Sequence, residues 1–230
     1  MAVTQVIIFD LDGTLVDSAE DIAFAVNKML ASLKLQPQPF AKILPLIGEG
    51  ARRLVERALI AGGGNRATDV EPALQEFLTF YAANLTRTTK AYPDVAETLQ
   101  QLANAGFRLA VCTNKPEAHS RTILDRLGLT EWFAIVVGGD TVAGVRKPDP
   151  RVLAPIVDAL GVTPGEAIMV GDSITDVALA RAAGMPVIAC EGGYSTLPAS
   201  DLGADMVIGG IDGLPVAIRR LLDRPPAEHL

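Results

Sequence analysis

The chain has 230 residues, 49% hydrophobic and 20% charged, enough for one large domain or two modest ones around a sizeable core and unlike a disordered composition. The 20 Lys and Arg against 27 Asp and Glu leave a net charge of −7, which gives no counterion-release attraction to nucleic acid, and no basic run marks a nucleic-acid or membrane surface. No apolar stretch approaches the ~18 residues that span a bilayer, no signal peptide is evident, and Cys112 and Cys190 sit in apolar strand-like contexts that suit reduced thiols and a cytoplasmic setting.

The first predicted element is a buried strand over 4–10, whose run Val6-Ile7-Ile8-Phe9 ends in Asp10-Leu11-Asp12-Gly13-Thr14. With a side-chain period of two, Asp10 and Asp12 lean the same way. Holding two carboxylates so close asks for a hard divalent cation such as Mg²⁺ or for one shared proton. Asp12-Gly13 also reads as a tight turn, which explains Asp12 and Gly13 but not Asp10.

Residues 17–90 have an all-helical texture. Asp17-Ser18 can cap a helix with Ile22, Val26, Met29, Leu30 and Leu33 at helical spacing. A second helix carries Leu54, Val55, Ala58 and Leu59 after Gly48-Glu49-Gly50, and a third runs from about Asp69 to Leu85 beyond the break at Gly62–Asn65. The segment reads as an insert on two linkers, Val16–Ser18 and Thr88–Pro93, either hinged as a lid or packed rigidly.

From Phe107 onward strand and helix alternate, which implies crossover units and a parallel sheet. Strands are expected at Phe107–Thr113, Phe133–Gly138, Ala167–Gly171, Pro186–Cys190 and Met206–Ile208, and helices near 117–127, 150–160, 174–183 and 212–222. In such sheets ligands bind beyond the carboxyl ends of the strands. Those ends carry Asp10 and Asp12, then Thr113-Asn114, then Lys147 in Arg146-Lys147-Pro148-Asp149-Pro150, then Asp172-Ser173 with Asp176. Each has a plain alternative. Thr113 and Asn114 can cap the helix led by Pro116, Lys147 can be a solvated lysine, Asp172 a cap and Asp176 an exposed position of the first helical turn. Asp149 before Pro150 is better explained as a cap and stays outside the site.

Taken together the set suits phosphoryl transfer through an aspartyl-phosphate. Asp10 would be the nucleophile and Asp12 the general acid and then base. Mg²⁺ would sit on Asp10, Asp172 and the backbone carbonyl of Asp12. Thr113 and Asn114 would hold phosphate oxygens, Lys147 would neutralise charge, and Asp176 with Ser173 would orient the metal's surroundings or the lysine.

These residues resemble the haloacid dehalogenase-type phosphohydrolases, whose four motifs appear in order as FDLDGTLVDS (9–18), VCTNK (111–115), the lysine of RKPDP (146–150) and VGDSITD (170–176). The resemblance implies a Rossmann-like α/β core over 1–16 and 91–230, with helices on both faces of a parallel sheet, and an inserted all-helical cap over 17–90. Because Asp12 is present, it favours phosphate-ester hydrolysis over carbon–halogen cleavage. GGDT (138–141) and IGEGARRLVERAL (47–59) are similar to the phosphoglycolate phosphatase subgroup, which implies a small phosphate ester, 2-phosphoglycolate, as substrate. Cap loops select substrates in this family, which points to Gly48, Glu49, Gly50 and Arg52. Arg53, Arg87 and Lys90 lie in or beside the same segment. A fork of one such arginine suits a substrate carboxylate, although for any single one a solvated side chain is the simpler reading.

Other outcomes on the same motifs are a sugar-phosphate or nucleotide phosphatase, a pyrophosphatase or a phosphosugar mutase. A phosphonate-cleaving enzyme would need a cap lysine, and 48–57 holds none. A phospho-receiver domain is about half this length and lacks a helical insert. A non-catalytic binding protein would have lost one of the four motifs. The expected assembly is a monomer or homodimer.

Overall fold

The structure, a computed structural model, describes residues 5–64 and 70–223. In chain order β1 (Val6–Phe9) and β2 (Val16–Asp17) lead to four helices, α1 (Ala19–Ser32), α2 (Phe40–Ile43), α3 (Ala51–Ala61) and α4 (Val70–Ala82), and then to β3 (Lys90–Ala91). Alternation follows: α5 (Val95–Asn104), β4 (Arg108–Cys112), α6 (Glu117–Arg126), β5 (Phe133–Val137), α7 (Ala154–Leu160), β6 (Ala167–Gly171), α8 (Ile174–Ala183), β7 (Val187–Cys190), β8 (Met206–Ile208) and α9 (Leu214–Leu222).

Six strands form one parallel sheet in the order β5-β4-β1-β6-β7-β8. β1 is central, with Val6 opposite Arg108 on one side and Ala167 on the other. The chain builds outward from β1 through β4 to β5 and then returns to lay β6 against the other side of β1. The reversal opens a crevice at the carboxyl ends of β1, β4 and β6.

Strand alternation sorts the core into two layers. Ile7, Phe9, Leu109, Val111, Ile168 and Val170 pack with Leu99 of α5, Ile123 of α6 and Leu214 of α9. Val6, Ile8, Ala110, Cys112, Ala167 and Met169 pack with Ile156 of α7 and with Val177 and Leu179 of α8. Both faces are covered, which is why these strands are continuously apolar. Cys112 and Cys190 are buried free thiols. Among the described residues no helix is long and apolar enough to cross a membrane.

The insert packs its own amphipathic faces together. Ile22, Val26, Met29 and Leu30 of α1 meet the same core as Leu54, Val55 and Ala58 of α3 and Phe77 and Tyr81 of α4, and that core is continuous with the first sheet layer. Its two linkers are not loose. Val16 pairs with Ala91 and Asp17 with Lys90 in a two-residue antiparallel ribbon, a pairing too short to leave a periodic signature.

The expected elements are present with shifted ends. The 150–160 segment splits into a 3₁₀ turn, Pro150–Leu153, and α7, while α9 begins at Leu214 after another 3₁₀ turn. The third insert helix ends at Ala82, and its expected start at Asp69, like Asn65 and Thr4, lies outside the described residues. Ser18 stands at the N-cap of α1 but gives no side-chain cap; its hydroxyl is used on Asp12 instead.

Candidate active site

β1 ends at Phe9, and the Asp10 N–H still donates to the Val170 carbonyl across the crevice at 2.9 Å. Asp10 is therefore fixed by the sheet, while Asp12 lies in the turn beyond it. Gly13 makes this turn possible at φ 84°, with its N–H donating to the Val16 carbonyl at 2.9 Å.

The two carboxylates take different partners. Asp10 Oδ1 accepts from the Leu11 N–H at 2.7 Å and lies 2.9 Å from Lys147 Nζ. Both Asp12 oxygens accept from Lys115 Nζ at 2.8 Å, and Oδ1 also accepts from Ser18 Oγ at 2.5 Å. The strand period stops applying once the chain turns, and each carboxylate is held by a different lysine while both line one cavity.

Asp10, Asp172 and Asp176 gather instead, with ligand oxygens within 4.8 Å of one another. Lys147, 5% exposed, bridges two of them, at 2.7 Å from Asp176 Oδ1. Asp176 is fully buried, not on the exposed face of α8. Its second oxygen accepts from the Ser173 hydroxyl at 2.6 Å and the Ser173 N–H at 3.1 Å in a capping box. Asp172 accepts from Thr14 Oγ1 at 3.1 Å and from the Tyr194 N–H at 2.7 Å.

Three buried carboxylates around one ammonium leave a deficit of positive charge. Burial, together with the neighbouring Asp176 charge and against the pull of Lys147, pushes Asp10 up to about 6. Burial with Asp176 and Asp10 pushes Asp172 up to about 7. Lys147 is raised despite its burial because Asp10 and Asp176 face it. Backbone also closes around Asp172: a Cβ on Gly193 would lie 2.2 Å from its Oδ2, and one on Gly13 2.6 Å. A cluster of hard oxygen donors short of positive charge and pinned in place fits a divalent cation.

Thr113 and Asn114 follow β4. Thr113 is buried at the wall of a cavity that Asp10 and Asp12 also line. Neither side chain caps α6, whose N-cap is Pro116. The Asn114 amide instead donates to the carbonyls of Gly48 and Lys147, at 3.1 and 3.2 Å, and accepts from the Lys147 N–H at 2.9 Å. Its side chain holds three loops together. Asp149 caps its turn by accepting from the Arg151 N–H.

The insert roofs the cavity, which measures about 50 Å³, with Ile22, Ile47, Leu54, Phe77 and Tyr81 among its walls. Gly48 and Gly50 reach it; Glu49 and Arg52 do not line it. Glu49 pairs with Arg57 at 2.6 Å, and Arg52 with Glu71 at 2.6 Å. Arg53 pairs with Glu56 at 3.2 Å, and Arg87 lies 3.4 Å from Asp21.

Two residues were missed by sequence reasoning. Lys115 sits inside the second motif yet drew no role, although a lysine following a strand end by three residues was a signal in plain view. Tyr194 follows Gly192-Gly193 beyond β7. It holds Asp172 through its N–H, and its hydroxyl accepts from the Ser18 N–H at 2.6 Å and donates to Asp17 at 3.1 Å. No periodicity marks a lone tyrosine in a loop.

Known proteins resemble the chain over most of its length. The family model described as haloacid dehalogenase-like hydrolase matches residues 7–190. The chain is 47% identical over 205 residues to a phosphoglycolate phosphatase of Rhodospirillum rubrum, covering 87% of this chain and 85% of the relative. It is 41% identical over 224 residues to one of Caulobacter vibrioides, covering 97% and 94%. The crystal structure of a predicted phosphoglycolate phosphatase from Haemophilus somnus 129PT superposes with a TM-score of 0.88 at 30% identity, covering 93% of this chain and 97% of that one.

Proposed function

The chain belongs to the haloacid dehalogenase-like hydrolases, and from that membership we propose that it is a Mg²⁺-dependent phosphatase that hydrolyses 2-phosphoglycolate through an aspartyl-phosphate on Asp10. The observation that carries the chemistry is the division of labour between the two aspartates, both at the cavity under the insert, one paired with Lys147 beside the acidic cluster and the other with Lys115. The substrate rests on high-coverage relatives named phosphoglycolate phosphatase.

Asp10 Oδ1 is held by the Leu11 N–H and Lys147, which leaves Oδ2 to attack phosphorus. Thr113 and nearby backbone N–H groups receive the phosphate oxygens, and Lys147 offsets the charge of phosphate and nucleophile together. The ester P–O bond breaks as the Asp10 O–P bond forms, and Asp12 passes a proton to the leaving oxygen. Asp12 then takes a proton from the water that cleaves the acyl phosphate, which returns Asp10 to its carboxylate and Asp12 to its carboxylic acid. Asp10, Asp172 and the backbone carbonyl of Asp12 would hold Mg²⁺, which supplies charge neutralisation for the incoming anion. Asp176, with Ser173 behind it, holds Lys147 in place. The insert, 17–90, serves as the cap over this site, with the β2–β3 ribbon as its hinge.

Phosphate release from a panel of phosphorylated metabolites with Mg²⁺ tests this reading. Phosphoglycolate should head the panel, and Asp10→Asn should lower turnover by about three orders of magnitude or more while keeping the fold. Normal turnover by that variant excludes Asp10 as the nucleophile.

A further inference from the structure

Two buried polar groups in the roofed cavity have capacity that the phosphoryl chemistry does not use. The Tyr81 side chain on α4 is 2% exposed and lines the cavity, yet its hydroxyl has no hydrogen-bond partner. A buried hydroxyl without a partner is uncommon in folded proteins and is destabilising. Lys115, 6% exposed, lines the same cavity, with its ammonium 4.6 Å above the Tyr81 ring. Of its three N–H donors, two go to Asp12, and the neighbour of the third is the Tyr81 hydroxyl, which makes no hydrogen bond of normal geometry with it.

The surroundings narrow what these groups can serve. The remaining insert-side walls are apolar, from Ile22, Ile47, Leu54, Phe77 and Leu78. Lys147 is committed to Asp10 and Asp176, and Arg52, Arg53, Arg57 and Arg87 are paired with acidic residues and absent from the cavity wall. Lys115 is thus the cation of the cavity on the side of Asp12, where the leaving group stands.

Resting on the phosphoglycolate reading, we propose that the Lys115 ammonium and the Tyr81 hydroxyl form the subsite that receives the carboxylate of the substrate. A carboxylate offers one oxygen to the spare N–H and one to the Tyr81 O–H, and charge-assisted bonds of this kind gain strength in an apolar, water-poor site. An ester of equal length ending in a neutral hydroxyl leaves part of the donor set unused, which is the situation in which a polar subsite discriminates most strongly. The specificity of the site therefore lies in core residue Lys115 and the face of α4, and not in the insert's arginines.

The test is the ratio of kcat/KM for 2-phosphoglycolate to that for 2-hydroxyethyl phosphate, which has the same length but no carboxylate. Tyr81→Phe removes only an unpartnered hydroxyl, so folding is expected to survive, as a thermal melt would verify. The ratio should fall about tenfold, the change appearing mainly in KM for phosphoglycolate. Lys115→Met also disturbs Asp12 and slows both esters, but the ratio should fall by about a hundredfold. Ratios within twofold of the parent in both variants overturn the subsite while leaving the phosphoglycolate reading in place. A parent enzyme with no preference for phosphoglycolate overturns both.

Discussion

Asp172 is held by contacts of three kinds: Thr14 on one oxygen, the Tyr194 N–H on the other, and the bare backbone of Gly13 and Gly193 against its carboxyl. Gly193 separates positioning from backbone strain. It has no left-handed φ, so a methyl group there acts only by sterics, and its Cβ would lie 2.2 Å from Asp172 Oδ2. Gly193→Ala should displace that carboxylate and raise the Mg²⁺ concentration for half-maximal activity by about 10–100-fold, with activity recovered at saturating metal. An unchanged Mg²⁺ titration would remove Asp172 from the metal site. Asp10, Asp172 and Lys147 were readable in the sequence because each terminates a strand or follows one, and the crevice rule converts that position into a location. Tyr194 was not, because its role arises from contacts across the fold, 22 residues back to Asp172 and 176 back to Ser18, whereas Lys115 carried the strand-end signal without being given a role. Arg52 was offered by residue type alone, and in the structure it pairs with Glu71 and lies off the cavity wall.

At the scale of elements, α1 is fastened to the strand that returns from the insert. Asp21, fully buried in its first turn, accepts from the N–H and hydroxyl of both Thr88 and Thr89, at 2.7 to 3.1 Å. Burial alone would raise this carboxyl, but the donors of Thr88 and Thr89 outweigh it and hold it below its ordinary 3.8. A carboxyl lowered by folding adds stability that is complete above its unfolded value and is lost as pH falls through its folded value. Asp21→Asn should therefore destabilise the protein by about 2–3 kcal/mol between pH 5 and 7, through donors left poorly matched in the interior. The gap between variant and parent should narrow below about pH 4, where the parent's own carboxylate protonates. Urea unfolding across that range measures it, and a gap that stays constant to pH 3 would show that Asp21 acts only by packing. The helices and strands themselves were legible because their apolar periods are long enough to stand out. The β2–β3 ribbon was not, since two residues on each side carry no period and the pairing is set by where the insert returns.

The whole molecule poses an access problem that the proposed cap must solve. Asp10 is 7% exposed, Thr113 2% and Lys115 6%, and residues of the insert line the cavity they share, so movement of the roof would widen the approach to Asp10. Most of the insert is joined to the sheet layer by continuous apolar packing, and separating that would be costly. The parts free to yield are the polar contacts at its rim: the Asn114–Gly48 hydrogen bond and the ribbon of Val16–Asp17 with Lys90–Ala91. Segments held by few bonds open at low free energy, and ligands that bridge them suppress the opening. Hydrogen exchange with and without Mg²⁺ plus orthovanadate, a phosphate mimic, should show slowed exchange at 47–51 and 90–91, while the amides of β1 and β4 stay protected throughout. Uniform slowing across sheet and insert would indicate general stabilisation of a rigid unit. No change at 47–51 would mean that substrate enters without the roof, and the ribbon would then be a simple connection and not a hinge.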